Sequence, residues 1–232
     1  AAPDTAGNWQ VITGNQLAAI LLDHILRHRR LPPDAYALST LVTTPMIGVL
    51  CRAFGVQPID DLLVGFKHIS REIEDRGPAG FVFGCEESIG YLAGTYCRDK
   101  DAAGAALLVA DIALELHGNR QTLWHRLDEI FDRHGRIDEF QHAVSAHGPT
   151  GRDRIESVMH SLRHEPPASI GGHHWQRVRD YDRHEVRRLP GNSSIESLPA
   201  PSSNLLVFES LGDSTTETNS PVVTLAARPS GT

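Results

Sequence analysis

A chain of 232 residues with 40% hydrophobic side chains can bury the core of one large or two ordinary globular domains. Its formal net charge of −7 opposes general binding to nucleic acid or to an anionic membrane, while a local basic pocket can still attract a small anionic metabolite. No apolar run reaches the roughly 18 residues of a membrane span, and "AAPDTAGNWQ" lacks the basic start and apolar middle of a secretion signal, so the expected location is cytoplasmic.

Along the chain, apolar strand-like runs alternate with helices, the pattern of an α/β layer structure. "NQLAAILLDHILRH" places Leu17, Leu21 and Ile25 with Ala18 and Leu22 on one face of an amphipathic helix. "YALSTLV" reads as a buried strand. "TTPMIGVLCRAFG" is then a helix with Thr44 as N-cap, Pro45 in its first turn and Gly55 past its end. Residues 57–101 read mainly as a loop region, with a short strand-like run from Phe81 to Phe83. A small-residue helix that can pack closely, "AAGAALLVADIALELHG", follows. The next, "TLWHRLDEIFDRHG", carries Leu123, Leu127, Ile130 and Phe131 on one face and stops at Gly135.

Mixed polarity and a Gly-Pro turn in residues 136–150 mark a boundary, giving expected domains of 1–138 and 139–232. The second, an α+β unit, has a helix at "GRDRIESVMHSLRH" and strands at "HHWQRVRDY", "NLLVFES" and "VVTLAA". Residues 189–204 and 211–221, rich in Ser, Thr, Pro, Asn and Gly, read as exposed hairpin loops.

Three cysteines, Cys51, Cys85 and Cys97, have neither even number nor metal-ligand spacing and read as free thiols. Among thirteen histidines, the adjacent His173 and His174 would point to opposite faces of a strand and cannot easily share an ion, so no metal ligand is expected. Asp180 and Asp182, two apart beside Arg183, read as surface charges.

The strongest chemical signal is "FVFGCEESIGYLAGTYCRDKD". A strand-like run enters a tight loop bearing Glu86, Glu87 and Ser88, groups that accept and donate hydrogen bonds to sugar hydroxyls. Arg98 and Lys100 add cations suited to a phosphate. A solvated charged turn is the plain alternative. In the terminal "RPSGT", Arg228 supplies a planar fork of donors, Ser230 and Thr232 hydroxyls, and Gly231 close approach of backbone N–H groups to phosphate oxygens.

In this order, "VTTPMIG", "VGFKHI", "FGCEESIGY", "CRDKD" and "RPSGT" resemble the α-D-phosphohexomutase family, and within it the phosphoglucomutases, over essentially the whole chain. The chain is similar to that family's third domain and most of its fourth: a mixed α/β sugar-binding domain followed by a smaller α+β phosphate-binding domain. The resemblance implies that Glu86 and Ser88 hold sugar hydroxyls, that Lys100 is the catalytic cation beside the reacting phosphate, and that Arg228, Ser230, Gly231 and Thr232 anchor the other phosphate. It also implies reversible conversion of glucose 1-phosphate and glucose 6-phosphate through a phosphoserine, with Mg²⁺ as cofactor and glucose 1,6-bisphosphate as activator.

Three departures accompany it. Neither the family's Thr-Ala-Ser-His-Asn-Pro serine loop nor its Asp-x-Asp-x-Asp-Arg metal loop is in this sequence, and Val64 stands where many relatives have threonine. Relatives continue past Arg-Pro-Ser-Gly-Thr into Glu-Pro-Lys. The chain is therefore expected to break off inside its phosphate loop, to be inactive alone, and to have the enzyme's N-terminal half as its missing partner. Phosphomannomutase and phosphopentomutase are the rival activities within the family; a non-catalytic sugar-phosphate-binding module is the rival of another class.

Overall fold

The computed structural model describes residues 1–211 and 221–229, which divide into two compact units, Ala1–Phe140 and Gln141–Thr232. The first unit opens with two short paired strands, β1 (Ala2–Pro3) and β2 (Trp9–Gln10). Helix α1 (Gly14–His28) begins on a capping box: Thr13 Oγ1 accepts the Gln16 N–H at 3.2 Å, and Gln16 Oε1 accepts the Thr13 N–H at 2.9 Å. Every residue from Ala18 to Leu26 is buried, so α1 is a central helix rather than one with a single buried stripe.

Strand β3 (Tyr36–Thr40) is wholly buried. Helix α2 (Met46–Ala53) follows, its first N–H accepted by Thr44 Oγ1 at 3.2 Å. The expected loop of residues 57–101 is instead five elements: β4 (Gln57–Leu62), α3 (Phe66–Arg76), a 3-10 turn (Pro78–Gly80), β5 (Phe81–Glu86) and β6 (Gly90–Leu92). Their disguise has physical causes. Strand β4, "QPIDDL", lies at the sheet edge, where a proline and two aspartates are tolerated. Helix α3 buries only Phe66, Ile69 and Ile73, a narrow i, i+3, i+7 stripe among charges.

The sheet order is β4-β3-β5-β6, with β3 parallel to both neighbours and β6 antiparallel to β5. Helix α4 (Ala102–Gly118) and helix α5 (Leu123–His134) complete the unit. Alternation along β3 sorts the layers. Ala37 joins Val82, Phe83, Cys85 and the buried faces of α1, α2, α4 and α5, whereas Tyr36 and Leu38 join α3 on the opposite face. At Gly84 a Cβ would lie 2.9 Å from Ile69 Cγ2, so glycine lets α3 approach the sheet. Close packing of α4 along its length is not observed. It buries Ile112 and Leu116 and leaves Leu107 and Leu114 exposed. Cys51 and Cys85 are buried free thiols, and burial pushes Cys51 up to about 12.

In the second unit, α6 (Gly151–His164) precedes the short pair β7 (Ser169–Ile170) and β8 (His173–His174). The main sheet is built from β9 (Arg177–Asp180), β10 (Glu185–Arg188), β11 (Ser193–Ser197), β12 (Leu206–Leu211) and β13 (Pro221–Ala227). It is antiparallel throughout, in the order β11-β10-β9-β12-β13. Met159, Trp175, Val178, Leu189, Leu206 and Phe208 form its core. Strand β11 occupies part of the expected loop 189–204. Its residues are all exposed, so no apolar alternation reveals it. Most of the other expected loop, 211–221, lies outside the described residues.

Asp180 is not a surface charge. It is fully buried, accepts Arg163 Nε at 3.1 Å on both oxygens and Arg187 Nη2 at 3.2 Å, and receives the backbone N–H groups of Asp182 and Arg183. Asp182 remains half exposed. A buried carboxylate is tolerated only when paired and hydrogen-bonded. Replacing Asp180 by Ala strands Arg163 and Arg187 and should cost about 3–5 kcal/mol. The check is denaturant unfolding with hydrogen exchange read at β9, β10 and β12; unchanged protection there would contradict the assignment.

Candidate functional site

Parallel strands carry their loops outward at their carboxyl ends, where open α/β sheets place ligands. At that end of β5, Glu86 is the last strand residue and is buried, its relative exposure only 5%. Glu86 pairs with Gly90 across the β5–β6 hairpin, leaving Glu87, Ser88 and Ile89 as the turn. Ser88 is exposed at its tip. Ile89 is 67% exposed and has φ +62°, a left-handed conformation that β-branched residues seldom adopt. The turn thus holds strain and an apolar side chain in solvent.

Two neighbouring segments clasp Glu86. Its Oε1 accepts the Gly65 N–H at 2.8 Å, just where α3 begins. Gly65 has φ +122°, which a residue with a Cβ adopts only under strain. The carboxylate therefore also lies against the positive end of the α3 dipole. Its Oε2 lies 3.8 Å from Lys100 Nζ, an ion-pair distance that leaves the oxygen able to accept another hydrogen bond.

Lys100 crosses the hairpin over Gly90, where a Cβ would meet its Cδ at 2.6 Å. Its ammonium sits 4.8 Å from the centroid of the Phe66 ring and 2.9 Å from Asp99 Oδ1. The Lys100 ammonium and backbone N–H hold Asp99 below the usual carboxylate range. Nearby, burial and then Lys67 lower the proton affinity of His68, favouring its neutral form.

The turn rests on the start of α1. A Cβ on Gly14 would fall 2.0 Å from the Glu87 carbonyl oxygen, and Tyr91 Oη donates to the Gly14 carbonyl at 2.8 Å. Helix and hairpin can approach this closely because residue 14 has no side chain.

The first unit thus brings Glu86 and Lys100 together, with Ser88 two residues along the same turn. Arg98 pairs with Glu74 and donates to the carbonyls of Thr95 and Cys97 at 2.7 and 3.1 Å. In the second unit, Arg228 is exposed directly after β13. Ser230, Gly231 and Thr232 lie outside the described residues. The motif "VGFKHI" does not by itself reveal that Gly65 and Phe66 meet Glu86 and Lys100. The available signal was a glycine before the apolar stripe of a helix.

The first unit is a three-layer α/β fold with an acidic turn at the carboxyl end of its sheet. A family model described as phosphoglucomutase/phosphomannomutase, alpha/beta/alpha domain III, matches residues 13–134, and the chain belongs to this family. It is 30% identical over 204 residues to a phosphoglucomutase of Staphylococcus aureus strain MRSA252, covering 88% of this chain and 37% of that protein. The phosphoglucomutase of strain N315 is 28% identical over 230 residues, 99% of this chain and 40% of that protein. The chain therefore spans about two fifths of these relatives' length. A solved structure of the open form of parafusin, a phosphoglucomutase from Paramecium, overlays with a TM-score of 0.49 at 15% identity, covering 90% of this chain and 35% of that one. Among the described residues no helix is long and apolar enough to cross a membrane.

Gly14→Ala gives a test of sign. Helix propensity alone would stabilise the substitution by up to about 1 kcal/mol. Contact with the Glu87 carbonyl should instead destabilise the unit by about 1–3 kcal/mol. Thermal or denaturant unfolding decides between them, and a more stable variant would refute the close contact.

Proposed function

We propose that this chain supplies the sugar- and phosphate-recognition part of a phosphohexomutase acting on glucose phosphates. The observation that carries the reading is Glu86, a buried carboxylate oriented by the Gly65 N–H and Lys100 at the mouth of the family's third-domain fold. With Oε1 held, Oε2 accepts a sugar hydroxyl proton, and Ser88 at the exposed tip offers a hydroxyl to a second position on the ring. Ser88 stands exposed beside Ile89, whose φ is +62°, while Glu86 is buried at the base of the same turn. Curated relatives named phosphoglucomutase favour glucose over mannose or pentose.

Lys100 is the cation placed to neutralise charge on a transferring phosphoryl group, the main demand of such chemistry. Asp99 holds that ammonium, so a phosphate would have to compete with it. Arg228, with Ser230, Gly231 and Thr232, is the proposed anchor for the second phosphate. By the family resemblance, Mg²⁺ would supply further charge neutralisation in the reaction. The residues here do not fit it: the family's metal loop is absent, and in the Asp180–Asp182 pair the first carboxylate is consumed by arginines.

The chain should bind glucose 1-phosphate without converting it. Calorimetry on the 232-residue chain is expected to show binding weakened about tenfold or more by Glu86→Gln and by Lys100→Ala, since each removes a charge-assisted contact of roughly 1.5–3 kcal/mol. Absence of binding, or equal affinity in wild type and both variants, would overturn the reading.

A further inference from the structure

Where α1 faces α4 in the first unit lies a second chemical cluster, separate from the Glu86 turn in sequence and composition. His24 and His28 stand one turn apart on α1, and Asp111 and Glu115 one turn apart on α4, so each pair shares a helix face. His24 Nδ1 is 3.6 Å from Glu115 Oε2, and His28 Nε2 is 3.9 Å from the same oxygen. These separations are too long for hydrogen bonds. They approach the roughly 3.3–3.4 Å that separates two ligand atoms bound 2.0–2.1 Å from one tetrahedral ion.

We propose that His24 Nδ1, His28 Nε2 and Glu115 Oε2 form a binding site for a divalent transition-metal ion, with solvent in the fourth position. The three side chains offer ligand atoms all within 4.8 Å of one another. His24 is 7% exposed, yet its buried Nδ1 has no hydrogen-bond partner, an orphan that a metal ion would satisfy.

Surrounding groups orient His28 and Glu115, and Asp111 stands near His24. His28 Nδ1 donates to the His24 carbonyl at 2.9 Å, which puts the lone pair on Nε2, the atom facing Glu115. Asp111 Oδ2 lies 3.6 Å from His24 Nε2, the place of the carboxylate that commonly steadies a metal-bound imidazole. Arg126 Nη2 takes Glu115 Oε1 at 3.5 Å and leaves Oε2 toward the histidines. Nitrogen-rich ligation with one carboxylate suits Zn²⁺, Ni²⁺ or Cu²⁺ better than Mg²⁺ or Ca²⁺.

Because α4 buries few side chains, an ion joining it to α1 would fasten this helix to the unit. Zinc is the probe. Titration of the 232-residue chain with Zn²⁺ should reveal a site whose affinity falls at least tenfold in His28→Ala and in Glu115→Gln. Zn²⁺ should also raise the melting temperature of the wild type and not of His28→Ala. His28 is half exposed, so its removal should leave the fold intact by circular dichroism. His160→Ala is the control, since His160 and His164 form another stacked pair one helical turn apart, with ring centroids 3.8 Å apart. The proposal is overturned if zinc does not bind, if binding survives His28→Ala and Glu115→Gln, or if His160→Ala abolishes it equally.

Discussion

The Glu86 carboxylate, withdrawn from water at the end of a parallel strand, is the constraint around which the first unit's site is arranged. A buried charge of this kind persists only with partners, and its two oxygens take them from different segments. Gly65 is the start of α3, and Lys100 lies just before α4. One side chain therefore ties the strand end to the beginnings of two helices. The Glu87–Ile89 turn beside it is held against the α1 terminus by backbone proximity at Gly14 and the Tyr91 hydroxyl. The turn that would meet a ligand is thus positioned by rigid elements.

Most of the helices were legible because their ends carry chemistry that acts locally. Gly55, Gly118 and Gly135 marked helix ends, and the stripe from Leu123 to Phe131 needed no knowledge of partners. What escaped depended on tertiary context. Strand β4 is polar because it is an edge, α3 exposes most of its surface, and β11 is solvated throughout. Asp180 looked like any exposed aspartate, since its arginines lie 17 residues before it and 7 after.

Glu86 and Ser88 were readable from the run of carboxylates and hydroxyl after a strand, whereas the clasp on Glu86 was not. Gly65 reaches it across 21 residues, a pairing that only the parallel arrangement of β4, β3 and β5 creates. The same holds for the His24–His28 pair. His173 and His174 are conspicuous because they are adjacent, whereas the pair His24 and His28 is spaced i, i+4 inside a helix with an ordinary amphipathic pattern. Its carboxylate partner arrives from α4, 87 residues beyond His28. Charged side chains with long-range partners are thus the ones local pattern misplaces.

The most direct measurement of the central claim is amide chemical-shift mapping of the chain during titration with glucose 1-phosphate. If the clasped carboxylate and its turn receive the sugar, the largest changes will fall on Gly65, residues 86–90 and Lys100. Saturating changes confined to other parts of the chain, with these resonances unmoved, would contradict it.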